Sequence, residues 1–331
     1  MPAARASAAS RGTTSVPRSE GAAMADNPLP SWNDGAAKQA ILDFVAAVTE
    51  EGGEHFVPVE DRIATFDNDG TLWCEQPLYN QMVFAVDRVR ALAPNHPEWR
   101  EQQPFQAILD DDRDALGAMS KQDLAAVITT THAGMTTDEF AQVVRDWIST
   151  AKHPRFDRLY TDCVYQPMVE LLAYLRANGF QTWIVSGGGV DFMRVFAEAV
   201  YGVPPAQVIG SSGKVQFEVR DGQPVFVKLP ELSSYDDKEG KPANIHLHVG
   251  RPPILAFGNS DGDQAMLEYT DSGDSPRLML IVHHDDAERE YTYDRDSSIG
   301  KLDTALTAAA AKGWNVVSMK ADWGWIFSDA E

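Results

Sequence analysis

Apolar positions change their period along the chain. Ala37, Ile41, Phe44, Val45 and Val48 recur at the three- and four-residue spacing of one helix face. Asn33 or Asp34 stands where a cap is needed, and Gly52-Gly53 closes the run. Ile63-Ala64-Thr65-Phe66 follows as a short, continuously apolar strand. Beyond it, to about residue 165, the spacing is helical with no strand alternation. Leu78, Met82, Val86 and Val89 form one stripe, and Ser120 opens another through Leu124, Val127 and Ile128. Thr136-Thr137-Asp138-Glu139 reads as a capping box before Phe140, Val143, Val144 and Trp147.

From Gln166 the pattern alternates between helices and short apolar strands. A helix over 167–178 stops at Asn178-Gly179, and an apolar strand over 180–185 follows. Residues 214–228 read as a hairpin about Asp221-Gly222. Strands at 254–257 and 278–282, an Ala-rich helix at 302–312 and a strand at 316–319 complete the chain. Trp323 and Trp325 are expected to be packing residues. This alternation predicts an α/β fold with a Rossmann-like parallel sheet. The helical span fits an insertion into that sheet or an independent helical domain.

Composition narrows the partners. The 331 residues are 44% hydrophobic, enough for a sizeable core. With 28 basic and 49 acidic side chains the net charge is −21, which argues against nucleic acid or an anionic membrane as partner. Any anionic ligand must then be drawn in by local features. Cys74 and Cys163 do not make a disulfide framework. Residues 1–25, rich in Ala, Ser and Arg, are expected to form a disordered tail. With no secretory apolar segment and no run of membrane-spanning length, the expected location is cytoplasmic. Oligomeric state is not legible.

The chemistry gathers where strands end. Asp67 and Asp69 follow the first strand one residue apart, a spacing that in extended chain turns both carboxylates to one side. Two carboxylates so close repel, and a divalent cation keeps both ionised. Gly70 would turn the chain sharply and bring N–H groups towards an anion. By itself the stretch is also compatible with part of a calcium loop. Strand 180–185 lands on Ser186-Gly187-Gly188-Gly189, a hydroxyl with backbone donors able to hold a phosphoryl group. Strand 254–257 ends in Gly258-Asn259-Ser260-Asp261-Gly262-Asp263. Strand 278–282 runs into His283-His284-Asp285-Asp286. Neighbouring residues of extended chain point oppositely, so the two imidazoles are expected at the mouth of a crevice, holding substrate rather than sharing a metal.

Asp67-Asn68-Asp69-Gly70-Thr71 resembles the DxDGT signature of the haloacid dehalogenase superfamily, and the other stretches resemble its later motifs in order, over residues 60–285. Ser186 matches the second motif. The third-motif lysine is Lys241, which begins a helix, or alternatively Lys238. The fourth motif, GDxxxD, is matched with Asn259 at the first acidic position and Asp263 at the second, Asp261 being a rival ligand. The resemblance is nearest to the phosphoserine-phosphatase-like branch. It implies a core of residues 26–73 and 166–331 carrying a type 1 helical cap, residues 74–165, that selects substrate.

The resemblance further implies a Mg²⁺-dependent phosphatase acting on a small phosphomonoester of an amino acid, amino alcohol or sugar. Asp67 would be the nucleophile and Asp69 the general acid and base. Ser186, Gly187 and Lys241 would hold the phosphoryl oxygens. Mg²⁺ would rest on Asp67, the Asp69 carbonyl, Asn259 and Asp263. Glu75 and Gln76 lie where relatives can contact a substrate amino group, although the match is offset. The dehalogenases lack the second acid, so Asp69 points to phosphoryl chemistry. The alternatives are a phosphotransferase or mutase of the same fold and a non-catalytic protein that binds a phosphorylated ligand.

Overall fold

The computed structural model describes residues 27–112, 115, 119 and 121–328. The tail at 1–25, Ser120 and the Leu124 side chain lie outside the described residues. Strand alternation builds the centre. Strands β1 (Ile63–Phe66), β2 (Gln181–Gly189), β3 (Val208–Arg220), β4 (Gln223–Ser234), β5 (Leu255–Gly258), β6 (Leu278–Asp285), β7 (Thr292–Tyr293) and β8 (Asn315–Ser318) form one sheet. Its order is β4-β3-β2-β1-β5-β6-β7, with β8 also pairing β6. The β3-β2-β1-β5-β6-β8 pairs are parallel, whereas β4 and β7 run antiparallel to β3 and β6. This is the α/β architecture that the alternating pattern predicts.

Parallel strands buried on both faces need apolar residues at every position, and the two-residue period sorts them. Leu278, Leu280 and Val282 of β6 enter one hydrophobic cluster with Phe66 and Phe257. Met279 and Ile281 enter another on the opposite face, with Val185, Ala256 and Trp314. Helices cover both faces. Helix α1 (Ala36–Thr49) buries Ile41, Val45 and Val48 in the first cluster. It starts behind Gly35 with no side-chain cap, contrary to expectation. The Asp34 carboxylate instead accepts from Lys38 at 2.9 Å, and the Asn33 amide donates to the Ala321 carbonyl.

Helices α2 (Asn80–Leu92), α3 (Lys121–His132) and α4 (Thr137–Ile148) follow β1. The capping box forms as the sequence predicts: Thr136 Oγ1 accepts from the Glu139 N–H, and Glu139 accepts from the Thr136 N–H. Met82, Val86, Trp99, Ile108 and Val127 make a local cluster. Phe84, Phe140, Val144 and Ile148, however, belong to the main core. Phe84 lies 5.4 Å from Phe192, between ring centroids. The helices are therefore not a self-contained bundle.

The hairpin differs most from its sequence outline. Val208–Ile209 of β3 pair with β2 inside the sheet, so the strands extend well beyond 214–228. The turn is Asp221-Gly222, both at positive φ, as a two-residue turn of type I′ requires. The outer strand docks on the helical segment. The Gly134 N–H donates to the Lys228 carbonyl and the Lys228 N–H to Met135, at 2.9 and 2.8 Å. Of the two late tryptophans, Trp323 is buried edge-on to Trp32, while Trp325 is 47% exposed.

Candidate active site

The site is built where the central strands end. The Asp67 N–H donates to the Phe257 carbonyl at 2.9 Å, extending the ladder one residue beyond β1. The chain then turns, with the Gly70 N–H donating to the Trp73 carbonyl at 2.9 Å. That bond occupies the Gly70 N–H, which therefore does not point to an anion as expected. Gly70 has φ +75°, and a Cβ there would sit 2.0 Å from Asn259 Nδ2 and 2.4 Å from Glu75 Oε1. Glycine is required both for the turn and for this close approach. Asp67 and Asp69 both face the cavity described below, but the turn, rather than strand alternation, brings Asp69 round.

Lys241 opens helix α6 (Gly240–His248), counting α5 as Gln166–Ala177. It is buried at 2% exposure, and its ammonium donates to Asp67 Oδ1 at 2.6 Å, Asp263 Oδ1 at 2.5 Å and the Val185 carbonyl at 2.9 Å. Lys238 is exposed on the preceding loop. Asp263 stands just before helix α7 (Gln264–Asp271). Its second oxygen accepts from the N–H groups of Asn259 and Ser260 and from the Ser260 hydroxyl. Asp261 faces elsewhere and accepts from the N–H groups of Asp303 and Ala305 at the start of helix α8 (Thr304–Lys312).

At the second motif β2 leaves register with β3 between Ser186 and Gly189. The bulge sets Gly187 and Gly188 off the ladder and towards the cavity. Ser186 Oγ accepts from the Gly188 N–H at 3.1 Å, and Gln81 of α2 accepts from the Gly189 N–H at 2.7 Å. Asn259 donates to Glu75 at 2.7 Å, and its amide oxygen accepts from the Thr71 hydroxyl at 3.2 Å. Glu75 also accepts from the Tyr293 hydroxyl. Gln76 turns away, to the Ile299 carbonyl.

Charge in this pocket is unbalanced. Four carboxylates, the buried Asp67, Glu75 and Asp263 and the half-buried Asp69, share the site with one ammonium, which bonds Asp67 and Asp263. Burial, and then Asp263, push the Asp67 pKa up against the opposing pull of Lys241. Burial also raises Asp69, although the Trp73 indole N–H bonds its Oδ1 at 2.9 Å. Burial and the Asp69 charge raise Glu75 well above the usual carboxylate range. Burial lowers Lys241, but Asp263 and Asp67 outweigh it and hold the ammonium charged.

This oxygen-rich, over-acidic donor set fits a hard divalent cation. Among the described residues no three His, Cys, Asp or Glu side chains form a metal-holding group. Mg²⁺ does not need one, since it is commonly held by one or two carboxylates with waters and substrate oxygens.

Asp67, Asp69, Ser186, Gly187 and Lys241 line one cavity of about 810 Å³. Asn259 and Asp263 lie behind its wall, bonded to residues that line it. The histidines do not hold the mouth. Strand β6 runs on to Asp285, and alternation turns His284 inward behind the first turn, bonded to the Gly70 carbonyl at 2.8 Å. His283 sits 3.5 Å from Asp294, outside the lining. Other lining residues, Gln81, His132, Asp191 and Lys228, carry no local sequence signal and are assembled by tertiary contact.

An acidic site at the carboxyl ends of the central strands, on a mostly parallel sheet, defines an enzyme-type α/β protein. The family model described as haloacid dehalogenase-like hydrolase matches residues 64–268, and the chain belongs to that family. A conserved functionally unknown protein from Anaerococcus prevotii DSM 20548 shares the fold, at 15% identity over 89% of this chain and 96% of that one, with a TM-score of 0.54. A protein with unknown function from Bordetella pertussis Tohama I gives 18% identity over 77% and 97%, with a TM-score of 0.47. A probable phosphoserine phosphatase from Vibrio cholerae gives 16% over 76% and 65%, with a TM-score of 0.36. No curated protein matches the chain. No described helix is long and apolar enough to cross a membrane.

Proposed function

We propose that the protein is a Mg²⁺-dependent phosphatase that hydrolyses a phosphomonoester through an aspartyl-phosphate on Asp67. The observation that carries this reading is the Lys241 ammonium between Asp67 and Asp263, with Asp69 lining the same cavity. One Asp67 oxygen is bound to that ammonium, and the other is left to attack phosphorus. As the ester bond breaks, Asp69 gives its proton to the leaving oxygen. Burial raises its pKa, which suits it to carry that proton. In the second half Asp69 takes a proton from the attacking water, phosphate leaves, and Asp67 is restored. Lys241, the Ser186 hydroxyl and the Gly187 N–H would hold the phosphoryl oxygens, so that positioning and fixed charge supply the catalysis.

Asp67, the Asp69 carbonyl and Asn259 are the groups suited to hold Mg²⁺, which when bound offsets the excess of carboxylate charge against an anionic substrate. Asp263 positions Lys241 and the 259–260 backbone, and would reach Mg²⁺ directly or through water. The helical segment 74–165 would act as the cap.

Phosphate release from a panel of phosphomonoesters, with and without Mg²⁺, tests the reading. The expected outcome is metal-dependent turnover that falls at least about 1,000-fold in Asp67→Asn. Transfer of phosphate to an added alcohol would instead make it a phosphotransferase. Ligand binding without turnover of any ester would make it a binding protein.

A further inference from the structure

The cavity reaches well beyond the phosphoryl end. At about 810 Å³ it lies in the range, roughly 300–1,000 Å³, that buries a drug-sized ligand. Its far compartment has three walls: helices α2 to α4, the chain after β2, and the β3–β4 hairpin. They contribute Met82, Ile128, Phe140, Phe192, Leu229 and Leu232.

The charges there are already satisfied. Besides Lys241, the cation among the described lining residues is Lys228, which is paired with Asp191 and lies 4.7 Å from the centre of the Phe140 ring. His132, stacked on Phe84, is buried too deeply to carry a proton readily. A second phosphate, or the carboxylate of an amino acid, would meet no unpaired cation among these groups, and the carboxylates able to meet an ammonium, Asp69 and Glu75, stand at the phosphoryl end rather than on these apolar walls. Leu232 is 47% exposed, so the apolar surface continues to the rim.

We infer that the ester cleaved here has an apolar leaving alcohol, alkyl or aryl, seated between the cap helices and the hairpin. This rests on the phosphatase reading for the chemistry but on the cavity walls for the selectivity. A compact polar leaving group would leave most of the compartment wet and its apolar wall uncovered, whereas each buried methylene adds binding.

The test compares ethyl, octyl and 2-(naphthyl)ethyl phosphates, whose leaving alcohols are of similar acidity, with O-phosphoserine. kcat/KM for the better long ester should exceed that for ethyl phosphate by at least about 100-fold. Leu232→Asp should reduce that ratio about tenfold. Preference for octyl or for naphthylethyl tells an alkyl from an aryl occupant. Equal rates across the series, or preference for O-phosphoserine, overturn the inference and leave the phosphatase reading standing. If no ester is hydrolysed, calorimetry with ethyl- and octylphosphonate, in the presence of Mg²⁺, decides separately. Affinity rising with chain length supports the apolar compartment, and length-independent or absent binding overturns it.

Discussion

His132 is neutral in the folded protein because burial, reinforced by the nearby Lys228 and Arg88 charges, depresses its pKa from the ordinary 6.5 to about 3. The unfolded chain takes up that proton near pH 6.5 and the folded chain does not. Stability from this group is therefore complete above pH 6.5 and is lost as pH falls towards 3. At pH 5 the loss is about 2 kcal/mol. Urea unfolding of the wild type and of His132→Gln at pH 7.5 and pH 5 measures it, and the variant should lack that part of the acid loss. An equal loss in both would assign it to other groups. At the same scale, Asp67, Asp69, Ser186, Gly187 and Lys241 could be selected from sequence because each follows or opens a recognisable element. His132 and Lys228 could not. A histidine ending a helix and a lysine in a strand look like surface residues until other chain segments cover them.

Element boundaries were legible where a local bond sets them. Thr136 and Glu139 cap α4 from within four residues, and Asp221-Gly222 turns the hairpin by its own φ angles. The α1 cap departs from the expected one because Asp34 is drawn to Lys38 and Asn33 to Ala321, competitors that spacing cannot reveal. Thr136 has a further position. It forms a bridge with Val227 of the hairpin, where the Gly134 N–H donates to the Lys228 carbonyl and the Lys228 N–H to the Met135 carbonyl. Thr136→Ala should cost about 1 kcal/mol through the lost cap. In native-state hydrogen exchange the Gly134 and Lys228 amides should open together and lose protection equally in this variant. Separate opening energies would mean that the hairpin moves independently of the helices.

For the whole molecule, the net charge of −21 is mirrored in the site, where four carboxylates face one ammonium. A cation that binds the folded state alone stabilises it by mass action, by about 2.7 kcal/mol at a hundred times its Kd. Mg²⁺ should therefore raise the thermal midpoint by several degrees in a concentration-dependent way, and a chelator should reverse it. Asn259→Asp, which adds a carboxylate, should shift the response to lower Mg²⁺. No shift with the metal in either protein would remove Mg²⁺ from the proposal.

Periodicity, caps and the order of the acidic and Gly-rich stretches determined the α/β class, the order of the strands and the chain-order position of Asp67, Asp69, Ser186 and Asp263. These are short-range properties: a two- or 3.6-residue repeat and a turn are written in adjacent residues. Tertiary structure decided what lies between them. It selected Lys241 over Lys238 as the ammonium between Asp67 and Asp263, sent His284 behind the first turn, and folded the hairpin against the helices to wall the cavity. Those contacts join residues far apart in sequence, and they arise from packing and charge pairing that no local pattern encodes.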